Sequence, residues 1–271
     1  MMEQTLSFMI LVSDRLWQAG DMGMVRALDY RARGRGINID WQVCHHGEAL
    51  DLSGVSAVLT GGRTITDPGS IMDDMRRMKQ TQLQLAIEEG MPLLAAGAGF
   101  ALLCDTFESA NGRTIDGLGV FDTVSHRPGP RSGNGDLILW APWLEKEEDH
   151  VLSKVQPELA HLTTDDAARD ELIIGFVRHG NRSANPGADQ ALGRIMYCSD
   201  RSRNQEFEGM KQGSLLGTHT QGSLLPLNPA LTDWFLNRAL SYLDREPLAP
   251  MDNKPEYKVR AEILARIIDE H

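Results

Sequence analysis

The stretch Leu93-Leu94-Ala95-Ala96-Gly97-Ala98-Gly99-Phe100-Ala101-Leu102-Leu103 constrains the fold of this chain more than any other. An apolar run meets a turn of small residues and continues at once into a second apolar run, which predicts a buried strand, a sharp elbow and a departing helix. In α/β enzymes an elbow of this kind lifts a nucleophilic Ser or Cys above the carboxyl edge of the sheet, beside backbone N–H groups that can hold an oxyanion. Here the tip is Gly97, which has no side chain to do chemistry.

The flanking sequence supplies the sheet that such an elbow needs. Leu6 to Val12 and Ile37 to Val43 read as strands joined by a helix from Met24 to Arg33, a β-α-β opening typical of parallel sheets. A third strand, Val55 to Thr60, ends in Gly61-Gly62-Arg63, and a long amphipathic helix from Met72 to Glu89 closes on Gly90 before the elbow strand. Two glycine turns then lie at one sheet edge, where open α/β sheets bind ligands. After a helix running through Cys104, short strands and turns are predicted over Gly112 to Val124 and Leu137 to Trp140. Ile173 to Val177, Gly193 to Tyr197 and Leu215 to His219 are predicted as strands, and Ala230 to Leu243 as a helix. The reading is a three-layer, doubly wound α/β domain with a mostly parallel sheet over residues 1–246. A charged surface insertion covers about 144–171. A Pro-rich link and an amphipathic helix with Val259, Ile263 and Ile267 at intervals of four occupy 247–271 and dock on the domain or on a partner.

Composition narrows the function. A net charge of −11 argues against nucleic acid or an anionic membrane surface as partner. The most basic run, Tyr30 to Gly36, reads as a solvated helix end. No apolar run approaches the ~18 residues of a membrane span, and no basic leader precedes one, so a cytoplasmic location without membrane insertion is expected. Cys44, Cys104 and Cys198 lack metal or disulfide spacing and read as buried thiols. Cys44-His45-His46 does not converge on one strand face, so neither a metal nor a cofactor is expected.

The order of motifs carries a resemblance. Gly20-Asp21-Met22-Gly23 followed by Ala27 to Gly36, the Gly61-Gly62 turn, the elbow, and Ala110-Asn111-Gly112 with Gly117-Leu118-Gly119 form its first part. Ile174-Gly175-Phe176 with His179-Gly180, Gly217-Thr218 with Gly222 to Pro229, and Glu256-Tyr257-Lys258 complete it. Together they resemble the class I glutamine amidotransferases, which have a flavodoxin-like fold. Within these the chain is similar to the cobyric acid synthase-like branch, and most of all to the amidotransferase subunits of lipid II isoglutaminyl synthases, which act in peptidoglycan stem amidation.

The resemblance implies a nucleophilic cysteine at the position of Gly97 and an activating histidine at the position of Gln221. Both are replaced, and a thioester needs a thiolate while a carboxamide offers no basic nitrogen near neutral pH. His219, two residues before Gln221, is the candidate substitute base, although it sits roughly 6 to 7 Å along the strand. Cys104 lies about two helical turns from the elbow, roughly 10 Å, too far to share its oxyanion donors. No catalytic residue is therefore expected. Gly61, Gly62, Gly97, Ala98, Arg131 and Gln221 would line a vestigial pocket for glutamine or another small carboxylate, with Arg131 on the carboxylate. The implied partner is a Mur-ligase-like, ATP-dependent ligase subunit in a heterodimer. Two alternatives stay open from the sequence: an active glutamine-hydrolysing subunit that supplies ammonia to a cell-wall or cobyric acid-type ligase, and a small-molecule sensor.

Overall fold

The computed structural model describes residues 4–17, 21–109, 111–126, 135–144, 162–177, 182–183, 187–199, 205–221 and 223–269. Strand β1, Gln4–Leu11, enters the core, and a short α1, Ser13–Leu16, follows it. Helix α2, Met22–Arg33, crosses back to β2, Ile37–Cys44. After β3, Ala57–Thr60, the chain forms α3, Pro68–Asp74, and α4, Gln80–Glu88, with a π-turn over Met75–Lys79 between them. Strand β4, Leu93–Ala96, leads through Gly97 into α5, Ala98–Leu103. Next come β5, Cys104–Glu108, β6, Thr114–Asp116, β7, Phe121–His126, and β8, Gly135–Trp140. The remaining strands are β9, Leu172–Val177, β10, Arg182–Ser183, β11, Ala191–Cys198, β12, Phe207–Gln212, and β13, Leu215–Thr218. Helices α6, Leu224–Leu227, α7, Pro229–Tyr242, and α8, Lys254–Asp269, end the described chain.

Among the described residues, nine strands form one sheet in the order β2-β1-β3-β4-β13-β12-β11-β8-β9. It is parallel from β2 to β13 and antiparallel beyond. The parallel half is the doubly wound part anticipated from the sequence and carries the elbow. The antiparallel half extends it by hairpin-like returns that need no crossover helix. A second sheet, β10-β7-β5-β6, packs beyond α5. Helices α2, α6 and α7 cover one face of the large sheet through Leu28, Leu225, Phe235 and Leu236, and α3 to α5 cover the other through Ile71, Leu83, Phe100 and Leu102. Burial on both faces explains why β4 is apolar at every position instead of alternating.

The single helix expected from Met72 to Glu89 is interrupted. The π-turn turns Lys79 inward, where its Nζ donates to Asp74 Oδ2 at 2.7 Å and to the Glu48 carbonyl at 2.8 Å. Its C′ glycine is as expected: Gly90 has φ +91°, and Met91 N–H closes the helix on the Ala86 carbonyl. The predicted helix through Cys104 ends at Leu103, and Cys104 opens β5.

The basic run is not a solvated helix end. Arg31 is 2% exposed and grips Asp233 of α7 through Nε and Nη2 at 2.5 and 2.6 Å, while also donating to Glu256 and Asn253. Arg35 adds two further bonds to Asp233 at 3.1 and 2.6 Å. These forks need planar, bidentate geometry, which guanidinium supplies and a lysine would not. The run thus ties α2 to the C-terminal extension, and of its arginines Arg33 alone stays in solvent.

Helix α8 docks on the rest of the chain by a stripe that overlaps the expected one at Ile263 and Ile267 but not at Val259. Arg260, Leu264 and Ile267 are buried, whereas Val259 is exposed. Arg260 Nη2 takes the carbonyls of Arg169 and Leu172, and burial lowers its pKa to about 10. The cluster beneath α8 includes Leu162 and Ala167, so the end of the charged 144–171 stretch is packed; residues 145–161 lie outside the described residues. No helix among the described residues is long and apolar enough to cross a membrane.

Arg31→Ala leaves Glu256 without its guanidinium while Arg35 still holds Asp233, so it is expected to cost about 1.5–3 kcal/mol. Arg33→Ala, at a solvated position on the same helix, leaves the urea midpoint unchanged. Equilibrium urea unfolding of the two variants checks the contrast.

Candidate functional site: a closed elbow

Three strand ends build the site. Thr60 pairs with Ala95, and Thr218 pairs with Ala96, so the turns after β3 and β13 flank the tip after β4. Gly97 adopts φ +57°, ψ −118°, a conformation strained for any residue with a Cβ. Its N–H donates to the Thr218 carbonyl at 2.8 Å. The elbow predicted from sequence is present, with the backbone geometry of a nucleophile turn.

The space that a nucleophile would occupy is filled. A Cβ built on Gly97 would lie 2.5 Å from Gln221 Nε2 and would overlap the Gly62 carbonyl oxygen still more closely. Gln221 is held there by an isolated bridge to β9, its N–H donating to the Phe176 carbonyl at 2.9 Å. Buried Glu208 supports the same turn, since its Oε1 accepts from Thr218 Oγ1 and from the His219 N–H. The two positions singled out in the sequence, Gly97 and Gln221, therefore face each other directly.

The backbone donors are also taken. Ala98 N–H, the donor next to the elbow tip, bonds to the Gly62 carbonyl at 2.8 Å, and Gly99 N–H bonds to the Gly61 carbonyl at 3.1 Å. Gly62 N–H points to Asp21 Oδ1 at 3.3 Å. The Gly62 peptide, at φ +111°, thus presents its oxygen to the elbow. Leu16 approaches closely, so that a Cβ on Gly62 would overlap the Leu16 carbonyl. Oxyanion stabilisation requires donors aimed at an open position, and here each has an internal acceptor. The sequence expected Gly61, Gly62, Gly97, Ala98 and Gln221 to meet, and they do. Within this cluster Gly62 turns its carbonyl toward the elbow and its N–H toward Asp21. Asp21 and Leu16 were not anticipated as site residues; the signal for Asp21 was its place in the Gly20-Asp21-Met22-Gly23 motif.

The remaining candidates are placed as follows. His219 is 1% exposed, with its ring centroid 4.8 Å from that of Phe100 and Nε2 3.2 Å from Ser125 Oγ. Cys104 is buried with its thiol on the Phe100 carbonyl, and burial pushes its pKa far up, which removes thiolate character. Burial likewise raises Cys44, and Cys198 is half-buried. His45 lies 3.5 Å from Asp14, and His46 Nε2 meets Ser70 Oγ at 3.0 Å, both toward solvent. Arg131 lies outside the described residues.

No family model matches the chain. Two curated proteins are similar to it over most of their length. The GatD subunit of lipid II isoglutaminyl synthase (glutamine-hydrolysing) of Staphylococcus aureus strain N315 is 25% identical over 259 residues, covering 94% of this chain and 93% of that protein. The GatD subunit of Streptococcus pneumoniae strain ATCC BAA-255 / R6 is 23% identical over 221 residues, covering 82% and 75%. The chain is similar to GatD over nearly its whole length. Solved structures agree on the fold: PurLQS from Thermotoga maritima superposes with a TM-score of 0.52 at 12% identity, over 88% of this chain and 99% of that one. The glutaminase domain of Trypanosoma brucei CTPS, solved with bound acivicin, gives 0.51 at 10% identity, over 90% and 96%. The α/β fold is that of the class I glutamine amidotransferases, as the sequence suggested.

Gly97→Ala adds both backbone strain and overlap with the Gly62 carbonyl, and is expected to destabilise by about 2–5 kcal/mol. Gly36→Ala, also at positive φ but with open space around a Cβ, should cost only the left-handed backbone term of about 1–2 kcal/mol. Thermal unfolding of both variants separates strain from overlap.

Proposed function

We propose that this chain is a GatD-like subunit that keeps the amidotransferase scaffold without its glutaminase chemistry. It acts as a binding or regulatory partner of a Mur-ligase-like, ATP-dependent ligase of peptidoglycan stem amidation. The observation that carries the reading is the filled elbow: Gln221 and the Gly62 carbonyl occupy the place of a nucleophile's side chain, and the Ala98 N–H is bonded internally. Glutamine hydrolysis through an elbow needs a thiolate to form the acyl bond and a base to take and return the proton. Gly97 supplies no sulfur, and the carboxamide of Gln221 cannot act as base near neutral pH. Neither sealed His219 nor deeply buried Cys104 is offered to a substrate at the tip. The subunit role comes by likeness from the GatD proteins, which are subunits by name. On this reading the ligase takes ammonia from solution or from another source.

The purified chain, alone or with its ligase, is expected to release no ammonia from glutamine, while ammonium salts support amidation by the pair. Glutamine-dependent ammonia release that needs this chain and is lost in His219→Ala overturns the proposal. The double reversion Gly97→Cys with Gln221→His is expected to stay well below an active glutaminase. A blocked oxyanion donor alone costs about 10²–10³ in turnover, so a reversion with full activity contradicts the closed-elbow account.

A further inference from the structure

Strand β2 is one edge of the large sheet, and among the described residues it carries few of the devices that usually protect an edge. It runs eight residues in unbroken register with β1, from Gln4↔Ile37 to Leu11↔Cys44. Its sequence, Ile-Asn-Ile-Asp-Trp-Gln-Val-Cys, contains no proline, no lysine and one charge. Natural edge strands are short, bulged, charged or covered, because their unpaired N–H and C=O groups otherwise recruit another strand. Among the described residues no strand pairs with the outer side of β2.

The direction of its backbone groups follows from one hydrogen bond. Val12 N–H donates to the Cys44 carbonyl, so Cys44 faces β1, and alternation turns Gln42, Asp40 and Asn38 the same way. The groups of Ile39, Trp41 and Val43 therefore point outward. Side chains alternate between faces independently. Ile39 and Trp41 belong to the core layer under α2, where Trp41 packs edge-on against Phe8 and donates its indole N–H to Asp29, and Val43 shares that face but is 42% exposed.

We propose that this edge pairs with the same edge of a second copy of the chain, antiparallel about a two-fold axis at Trp41, to join the two sheets into one. A two-fold axis through an edge brings residues of equal parity together. Centring it on Trp41 places Ile39 opposite Val43 of the second copy, and these outward-facing residues exchange both backbone bonds. The same register sets Asp40 opposite Gln42, whose carboxamide Nε2 has a second N–H beyond the one it gives to Ser7 Oγ. Centring on Asp40 instead would oppose two carboxylates at the closest spacing, which is destabilising. The segment Ile39-Asp40-Trp41-Gln42-Val43 is thus complementary to itself in polarity, β-branching and hydrogen-bond direction. The net charge of −11 on each copy opposes association at long range and is screened over about 10 Å at moderate salt. The inference does not rest on the functional reading above.

Light scattering after gel filtration is expected to give twice the 30.0 kDa chain mass, with the dimer favoured as salt rises. Val43→Lys, which adds a charge on the outer edge, and Val43→Pro, which removes only an outward N–H, should each return the monomer. In the otherwise native chain, mixing Asp40→Cys with Gln42→Cys protein should give an oxidised cross-link that neither gives alone, since opposed residues lie about 4.5 Å apart at this type of position. A monomer at tens of micromolar, a dimer that survives both Val43 variants, or efficient cross-linking of Asp40→Cys with itself each overturns the proposal.

Discussion

The lateral register of β3, β4 and β13 is the constraint on which the rest of the structure depends. It sets Thr60, Ala95, Ala96 and Thr218 side by side, so that three turns leave the sheet at one point. Ala95 and Ala96 are small enough for neighbouring layers to close over them, and the strand is buried throughout. From that point the Gly97 N–H reaches Thr218 and the Ala98 N–H reaches Gly62. Helix α5 then leaves with Phe100 packed on Phe121 of the second sheet and on His219. A one-residue slip in either pairing would separate all of these groups together.

What the sequence revealed divides along the range of the interactions involved. The elbow, the β-α-β opening and the Gly90 stop are local: periodicity and one or two glycines suffice. Strand β12 escaped because Phe207-Glu208-Gly209-Met210-Lys211-Gln212 breaks its pattern at Gly209, where φ is +66°, and because buried Glu208 reads as a solvent-facing residue until Thr218 and His219 are placed beside it. The basic run was misread for the same reason. Asp233 and Glu256 lie 202 and 225 residues from Arg31, and nothing local marks them as its partners. In α8 the buried stripe turned on Arg260, a residue whose type predicts exposure but whose stem packs as an apolar chain. At the site, motif order alone paired Gly97 with Gln221. The Gly62 peptide is oriented by Asp21, with Leu16 leaving no room for a side chain, and no spacing in the chain encodes that orientation.

Polar groups in the interior do most of the positioning around the site. Glu208 holds the turn that aims Gln221, Asp21 holds the Gly62 peptide, and the Asp74–Lys79 pair holds the loop after β2 through the Gly47 N–H. Each is a buried group satisfied by a particular partner, which favours one arrangement over near alternatives at a cost in desolvation. The apolar layers determine that the chain collapses; these contacts determine where its loops point.

The inward carbonyl of Gly62 makes the molecule its own competing ligand. Any anion or carboxyl oxygen seeking the Ala98 N–H must displace an acceptor that is covalently attached and never diffuses away. Its apparent affinity is the intrinsic affinity scaled by the fraction of molecules in which that peptide has turned. If the turned form were about one in a hundred, an intrinsically micromolar ligand would register near 0.1 mM. A partner that stabilises the turned peptide would raise that affinity without touching the ligand at all.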